Sequence, residues 1–126
     1  MGKKISLLVD TDIFIDYLNH QLFKIIFTRN NYQIYYSAVT KKELLAKEGM
    51  NQSEERAIRK LLQKYRLVPL NQKILVQYSI LRKEHPQIGK EDCLIAATAI
   101  VQNLPLATRN YKHYKVFANL VLYFSK

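Results

Sequence analysis

Cysteine is almost absent from this 126-residue sequence: Cys93 stands alone, so no disulfide within the chain is possible. Its apolar neighbours are those of a reduced, packed thiol, which leads to the expectation of a cytoplasmic protein. Glycine and proline number only three each, and no linker, repeat or low-complexity tract interrupts the chain. No apolar run approaches the roughly 18 residues of a membrane span, and the N-terminus lacks the apolar stretch followed by small residues of a signal peptide. Met1 to Ser6 fits a myristoylation pattern and Asn51-Gln52-Ser53 a glycosylation sequon, but both patterns are short enough to arise by chance.

Acidic residues are also scarce. Ten Asp plus Glu face 20 Lys plus Arg, a formal charge of +10, and such a balance points to a polyanionic partner, either nucleic acid or an acidic protein surface. The 48% hydrophobic and 24% charged content is that of a folded globular chain and excludes disorder. At this length the sequence supports one core, and one domain spanning residues 1–126 is expected.

The pattern of elements follows from apolar runs and their punctuation. Residues 5–9 form a short apolar run ending at Asp10, as in a strand buried inside a parallel sheet. Helices are expected from Ile13 to about Asn19 and from Gln21 to Arg29, then a strand from Tyr32 to Tyr36. Ser37 can cap a helix running to about Lys47, and Ser53 starts another ending near Tyr65. A short strand at 67–70 precedes a helix from about Gln72 to Glu84. The helix beginning at Asp92 carries apolar residues on nearly every face, so it is buried on most sides. Residues 104–107 and 120–124 complete the strands. Alternation of this kind makes an α/β domain with a mainly parallel sheet and helices on both faces.

In such sheets ligands gather beyond the carboxyl ends of the strands. Asp10 follows the first strand, Glu43 lies in the helix after the second, Asp92 opens the buried helix, and Asn110 follows the strand at 104–107. Each has a simpler explanation available: Asp10 or Asp12 as a helix cap, Glu43 as the far half of a capping box with Thr40, Asp92 as a complement to a helix dipole. The reading adopted gives the cap to Asp12 and a site role to Asp10, and if Ser37 caps its helix the capping-box explanation of Glu43 fails. Three carboxylates within about 4 Å repel by roughly 4 kcal/mol per pair at an effective dielectric of 20. A divalent cation resolves this, and an all-oxygen donor set suits Mg²⁺ or Mn²⁺. The expected site is therefore Asp10, Glu43 and Asp92 as catalytic metal ligands, with Asn110 as a further metal contact.

The strings LLVDTDIFIDYL with Asp10, SAVTKKELL with Glu43, IGKEDCLIAATA with Asp92, and LATRNYKHY with Thr108 and Asn110 resemble the PIN-domain family. In particular they are similar to the VapC-type toxins of prokaryotic toxin–antitoxin pairs, over nearly the whole chain. The resemblance implies a PIN-like fold and a metal-dependent endoribonuclease, usually a homodimer, that cuts structured RNA and is inhibited by a cognate antitoxin filling its active site. It also implies two departures, because Asn110 stands where many relatives carry Asp and His113 where an acid often precedes the aromatic residue.

Two other functions compete. Asp10-Thr11-Asp12 resembles the D-x-D of haloacid dehalogenase-type phosphatases, with Asp10 as nucleophile, although Phe14 departs from that pattern and no late acidic pair follows Asp92. A catalytically silent PIN scaffold that binds RNA or protein through its charge and aromatics is the second, and retention of all three principal acids argues against it.

Overall fold

The computed structural model describes residues 4–123. Among them are four strands, β1 (Ile5–Val9), β2 (Tyr32–Ser37), β3 (Arg66–Val68) and β4 (Leu106–Ala107). Seven helices accompany them: α1 (Thr11–His20), α2 (Lys24–Thr28), α3 (Ala38–Leu45), α4 (Gln52–Leu62), α5 (Gln72–Glu84), α6 (Lys90–Gln102) and α7 (Tyr111–Tyr114). The strands form one sheet in the order β3-β2-β1-β4, every pairing parallel. Leu7 lies beside Ile34 on one flank of β1, and Leu8 beside Leu106 on the other.

Strand β1 is apolar without interruption because it is buried on both faces. Leu8 joins Ile74, Leu81, Ile95 and Tyr114 in the core under α5 and α6. Leu7 and Val9 point the other way, into a second core with Ile13, Phe14, Leu44 and Leu61. Alternate side chains of a strand face opposite sides of its sheet, so one strand supplies both cores. Each such side chain contributes roughly 1.5–3 kcal/mol by leaving water. Helix α6 buries Cys93, Ile95, Ala96, Ala97, Thr98 and Ala99. Its alanines Ala96, Ala97 and Ala99 join Leu8 and Leu106 in the core, and Thr98 hides its hydroxyl by donating to the Leu94 carbonyl at 2.8 Å.

The expected α/β class and parallel sheet are therefore present, and the differences lie at the ends of elements. The cap of α1 is Asp10, whose side chain accepts from the Thr11 amide, so the capping role assigned to Asp12 is incorrect. Asp12 lies within the first turn, and its carboxylate is free to face the end of β4. Ser37 caps α3 as expected, accepting from the Thr40 amide. Helix α4 starts at Gln52, one residue before the expected Ser53, and Asn51 caps it in a box closed by Glu54. Helix α6 begins at Lys90, which places Asp92 at its third position instead of its first. The segment expected as one helix from Gln21 is broken because Gln21 and Phe23 adopt left-handed backbone, leaving only the short α2. The strand expected over residues 120–124 is reduced to a single parallel bridge between Leu106 and Leu122, and position 124 lies outside the described residues.

The capping assignment can be tested by stability. Asn51→Ala should cost about 1 kcal/mol, the usual loss for an N-cap amide, while Ser53→Ala should change stability by no more than a few tenths. Urea denaturation of the two variants checks this, and the reverse order would restore Ser53 as the cap.

Candidate active site

The carboxyl end of the sheet brings β1 and β4 side by side, and the Asp10 amide donates to the Ala107 carbonyl at 2.9 Å. The residues that follow each strand therefore meet. Asp10 is buried, and both its oxygens are occupied. Its Oδ1 accepts from the Thr11 amide at 2.8 Å and its Oδ2 from the Thr108 hydroxyl at 2.7 Å. Thr108 is itself fixed by the Asn110 amide, which donates to its Oγ1 at 3.0 Å. Asp12 Oδ2 accepts from the Arg109 amide at 3.2 Å, and the Arg109 guanidinium lies 3.1 Å from buried Asp16.

Glu43 enters through a row of hydroxyls. Thr11 Oγ1 donates to Glu43 Oε1 at 2.6 Å and lies 2.9 Å from Thr40 Oγ1. Since Thr11 spends its single proton on Glu43, Thr40 must donate to Thr11. The Ser37 hydroxyl in turn donates to Thr40 Oγ1 at 3.3 Å. Helix α3 is thereby tied to the N-terminus of α1 by buried polar groups that are all satisfied. With Ser37 as the cap, the capping-box explanation of Glu43 falls away.

Asp92 is held from α7. The Tyr114 hydroxyl donates to its Oδ1 at 3.1 Å, and His113 Nδ1 lies 3.2 Å from its Oδ2. The same His113 nitrogen is 3.1 Å from the Asn110 side-chain amide. Asp10, Asp92, Glu43 and Asn110 thus belong to one polar assembly, in which hydroxyl, amide and imidazole groups separate the acids. Among the described residues no three His, Cys, Asp or Glu side chains converge into a ready-made metal cage.

The electrostatics show what the acids cost. Burial, aided by the nearby charges of Asp12 and Asp92, raises the Asp10 carboxyl to about 7 against the hydrogen bonds from Thr108 and Thr11. Asp12 is raised chiefly by burial, with the Arg109 amide and guanidinium opposing. Tyr114 is driven upward by burial and by the carboxylates around it, so it remains a neutral donor to Asp92. A hard divalent cation suits this setting, because the donors are oxygens and a cation would relieve the burden on Asp10. Mg²⁺ commonly keeps several of its waters and takes only one or two carboxylates directly, so separated acids are compatible with it. Two grooves border Glu43. One, of about 490 Å³, is flanked by Lys42, Lys90 and Tyr78. The other, of about 370 Å³, is lined by Ile15, Leu18, Leu44 and Ile58 of α1, α3 and α4.

All four expected site residues lie at this end of the sheet. Thr11, Asp12 and Tyr114 were not expected there. For Asp12 the signal was available: once Asp10 caps α1, a carboxylate two residues later points toward the neighbouring strand end. Nothing in the local sequence marks Thr11 or Tyr114, which act through partners 32 and 22 residues away.

A profile of the PIN domain matches residues 7–118. Over 121 residues the chain is 34% identical to Ribonuclease VapC10 of Mycobacterium tuberculosis, an alignment covering 90% of each protein. Its fold is similar to the VapBC2 structure from Rickettsia felis, solved with a promoter DNA fragment, at a TM-score of 0.82 and 25% identity, covering 94% of this chain and 98% of that one. It is also similar to a toxin–antitoxin complex from Klebsiella pneumoniae, at a TM-score of 0.74 and 26% identity, covering 91% and 95%.

The raised Asp10 carboxyl has a measurable sign. In metal-free protein the folded state retains a proton on Asp10 up to about pH 7, whereas the unfolded chain releases it near 3.8. Between those values the folded state binds more protons, so stability is greatest at the acid end and falls as pH rises toward 7. Asp10→Asn can keep both hydrogen bonds, its amide donating to Thr108, and should flatten that fall. Urea denaturation in EDTA at several pH values between about 4 and 8 checks this. An undiminished slope in the variant would assign the dependence to other groups.

Proposed function

The chain belongs to the PIN-domain family, and from that premise we propose that it is a cytoplasmic, Mg²⁺- or Mn²⁺-dependent endoribonuclease, the toxin of a VapBC-type toxin–antitoxin pair. The observation that carries the reading is the polar assembly around Asp10, a buried carboxylate with Asp12 and Asp92 close enough to raise it. A structural ion pair would have placed a cation beside Asp10, and the groups that act on its carboxyl are hydroxyl, amide and carboxylate. Asp10, Glu43 and Asp92 are the acids that would hold the metal, with Asn110 adding a neutral oxygen. The metal would supply Lewis acidity, lowering the pKa of a coordinated water and offsetting charge on the phosphodiester.

The chain's own groups do the positioning. Thr108 and the Thr11 amide fix both Asp10 oxygens, Thr11 fixes Glu43, and Tyr114 fixes Asp92. These contacts hold the acids in place before substrate arrives, so little reorganisation is left to the reaction. The +10 charge supplies long-range attraction for RNA.

Two surfaces support the partners. The apolar groove between α1, α3 and α4 borders Glu43, where an antitoxin segment would cover the site. On α5, Leu75, Val76 and Ile80 are about half exposed, Val76 the most at 55%, which supports burial of this helix in a homodimer. No helix among the described residues is long and apolar enough to cross a membrane.

Cleavage of total RNA should require Mg²⁺ or Mn²⁺, stop in EDTA, and be lost in Asp92→Asn with the fold intact by circular dichroism. Full activity in EDTA would sink the metal mechanism. A variant that loses structure together with activity would make Asp92 structural.

Metal titration of cleavage separates the role of Asn110. Asn110→Asp should lower the metal concentration needed for half-maximal rate, since divalent affinity rises with nearby carboxylate charge. Asn110→Ala should raise it by less than the loss of Asp10 does. An unchanged midpoint in Asn110→Asp would remove Asn110 from the metal's surroundings.

A further inference from the structure

At the amino end of the sheet, opposite the acids, lies a groove of about 600 Å³ whose lining includes Lys4, Arg29, Lys64 and Arg66. The topology makes this cluster. Lys4 precedes β1, Arg29 lies shortly before β2, and Lys64 and Arg66 flank the start of β3, so three neighbouring parallel strands each begin beside a cation. All four side chains belong to exposed residues. None makes an ion pair with an acid among the described residues, and no acid lines the groove. Cations at the ends of α2 and α4 complement the helix dipoles, which accounts for Arg29 and Lys64. It does not account for Lys4, which precedes β1, or for Arg66, the first residue of β3.

We propose that this groove is an exosite for RNA, engaging backbone phosphates of a substrate whose cleaved bond lies at the other end of the sheet; the proposal rests on the ribonuclease reading above. The lining distinguishes RNA from an acidic protein surface. Half-buried rings of Phe27, Tyr32 and Tyr65 contribute to it; they are packed on other rings, Phe27 on Tyr17 and Tyr65, and Tyr32 edge-on to Tyr123, so they give a base or sugar an apolar wall to lie against and not a free stacking face. The Asn30 and Gln33 amides add donors and acceptors suited to sugar and base edges. A protein partner bound only through carboxylates would leave these rings and amides without a matching group.

The geometry also sets a length requirement. Strand β1 has five residues, so Lys4 and Asp10 are separated by roughly 20 Å at about 3.3 Å per residue. At about 3.4 Å per stacked nucleotide, a stacked strand needs about six steps to span that distance. The exosite therefore favours long or structured RNA and is indifferent to very short substrates.

The test compares two pairs of charge removals with the same net effect: Arg29→Gln with Arg66→Gln in the groove, and Lys73→Gln with Lys83→Gln on α5. Affinity for a structured RNA of about 30 nucleotides is measured by fluorescence anisotropy in an Asp92→Asn background, and cleavage of that RNA and of a tetranucleotide is measured in the active protein. The groove pair should weaken binding of the long RNA roughly tenfold relative to the α5 pair and reduce the log–log salt slope by about 1.4, at 0.7 per phosphate contact. It should raise KM for the long RNA and leave tetranucleotide cleavage unchanged. Equal losses from the two pairs, or none from the groove pair, would overturn the exosite while leaving the nuclease intact. Retained RNA affinity with lost binding of polyglutamate would assign the groove to an acidic protein and overturn it as well. A parent protein that neither binds nor cuts RNA would remove the ribonuclease reading and the exosite with it.

Discussion

Desolvation of one carboxylate organises the functional end of this molecule. Asp10 sits where the doubly buried β1 runs out, so the packing that stabilises the sheet also removes water from the acid. The protein offsets part of this cost with two hydrogen bonds, from Thr108 and the Thr11 amide. The remainder stays as a carboxyl held near neutrality. Asp12 and Asp92 add to the strain where an ordinary structural aspartate would have a lysine or arginine beside it. Arg109 pairs its guanidinium with Asp16 and opposes the rise of Asp12.

Parallel strand direction then distributes charge along a single axis. All four strands point the same way, so every strand end of one kind collects at one edge of the sheet. The acids follow the carboxyl ends, and Lys4, Arg29, Lys64 and Arg66 gather at the amino ends. A polyanion approaching this surface meets attraction at the basic edge and repulsion at the acidic one until a cation intervenes. That asymmetry would give a bound polyanion an orientation that net charge alone does not specify.

Much of this was legible in the sequence because it depends on local pattern. The apolar run 5–9 ending in an acid, the Ser37 cap and the apolar helix after Asp92 each report their environment directly. Caps were harder to place. Asp10 and Asp12 are chemically equivalent candidates, and only the backbone shows that Asp10 both caps α1 and meets Thr108. Asn51 and Ser53 present the same ambiguity two residues apart. The side-chain links among the acids could not be read, since Thr11 to Glu43 and Tyr114 to Asp92 are set by packing between distant elements. The separation of α1 from α2 was legible, but its extension through Phe23 was not, because Gln21 and Phe23 are residues with no special preference for left-handed backbone.

The outer strands of the sheet are very short. Strand β3 spans three residues and begins with exposed Arg66, while β4 spans two and is continued by one bridge at Leu122. Such edges offer few free amides and carbonyls in register for a foreign strand, and the arginine discourages close approach. Continuation of the sheet from molecule to molecule is thereby disfavoured. Recognition is left to helices and grooves, whose side chains can discriminate between partners, and the chain gains protection from fibrous aggregation.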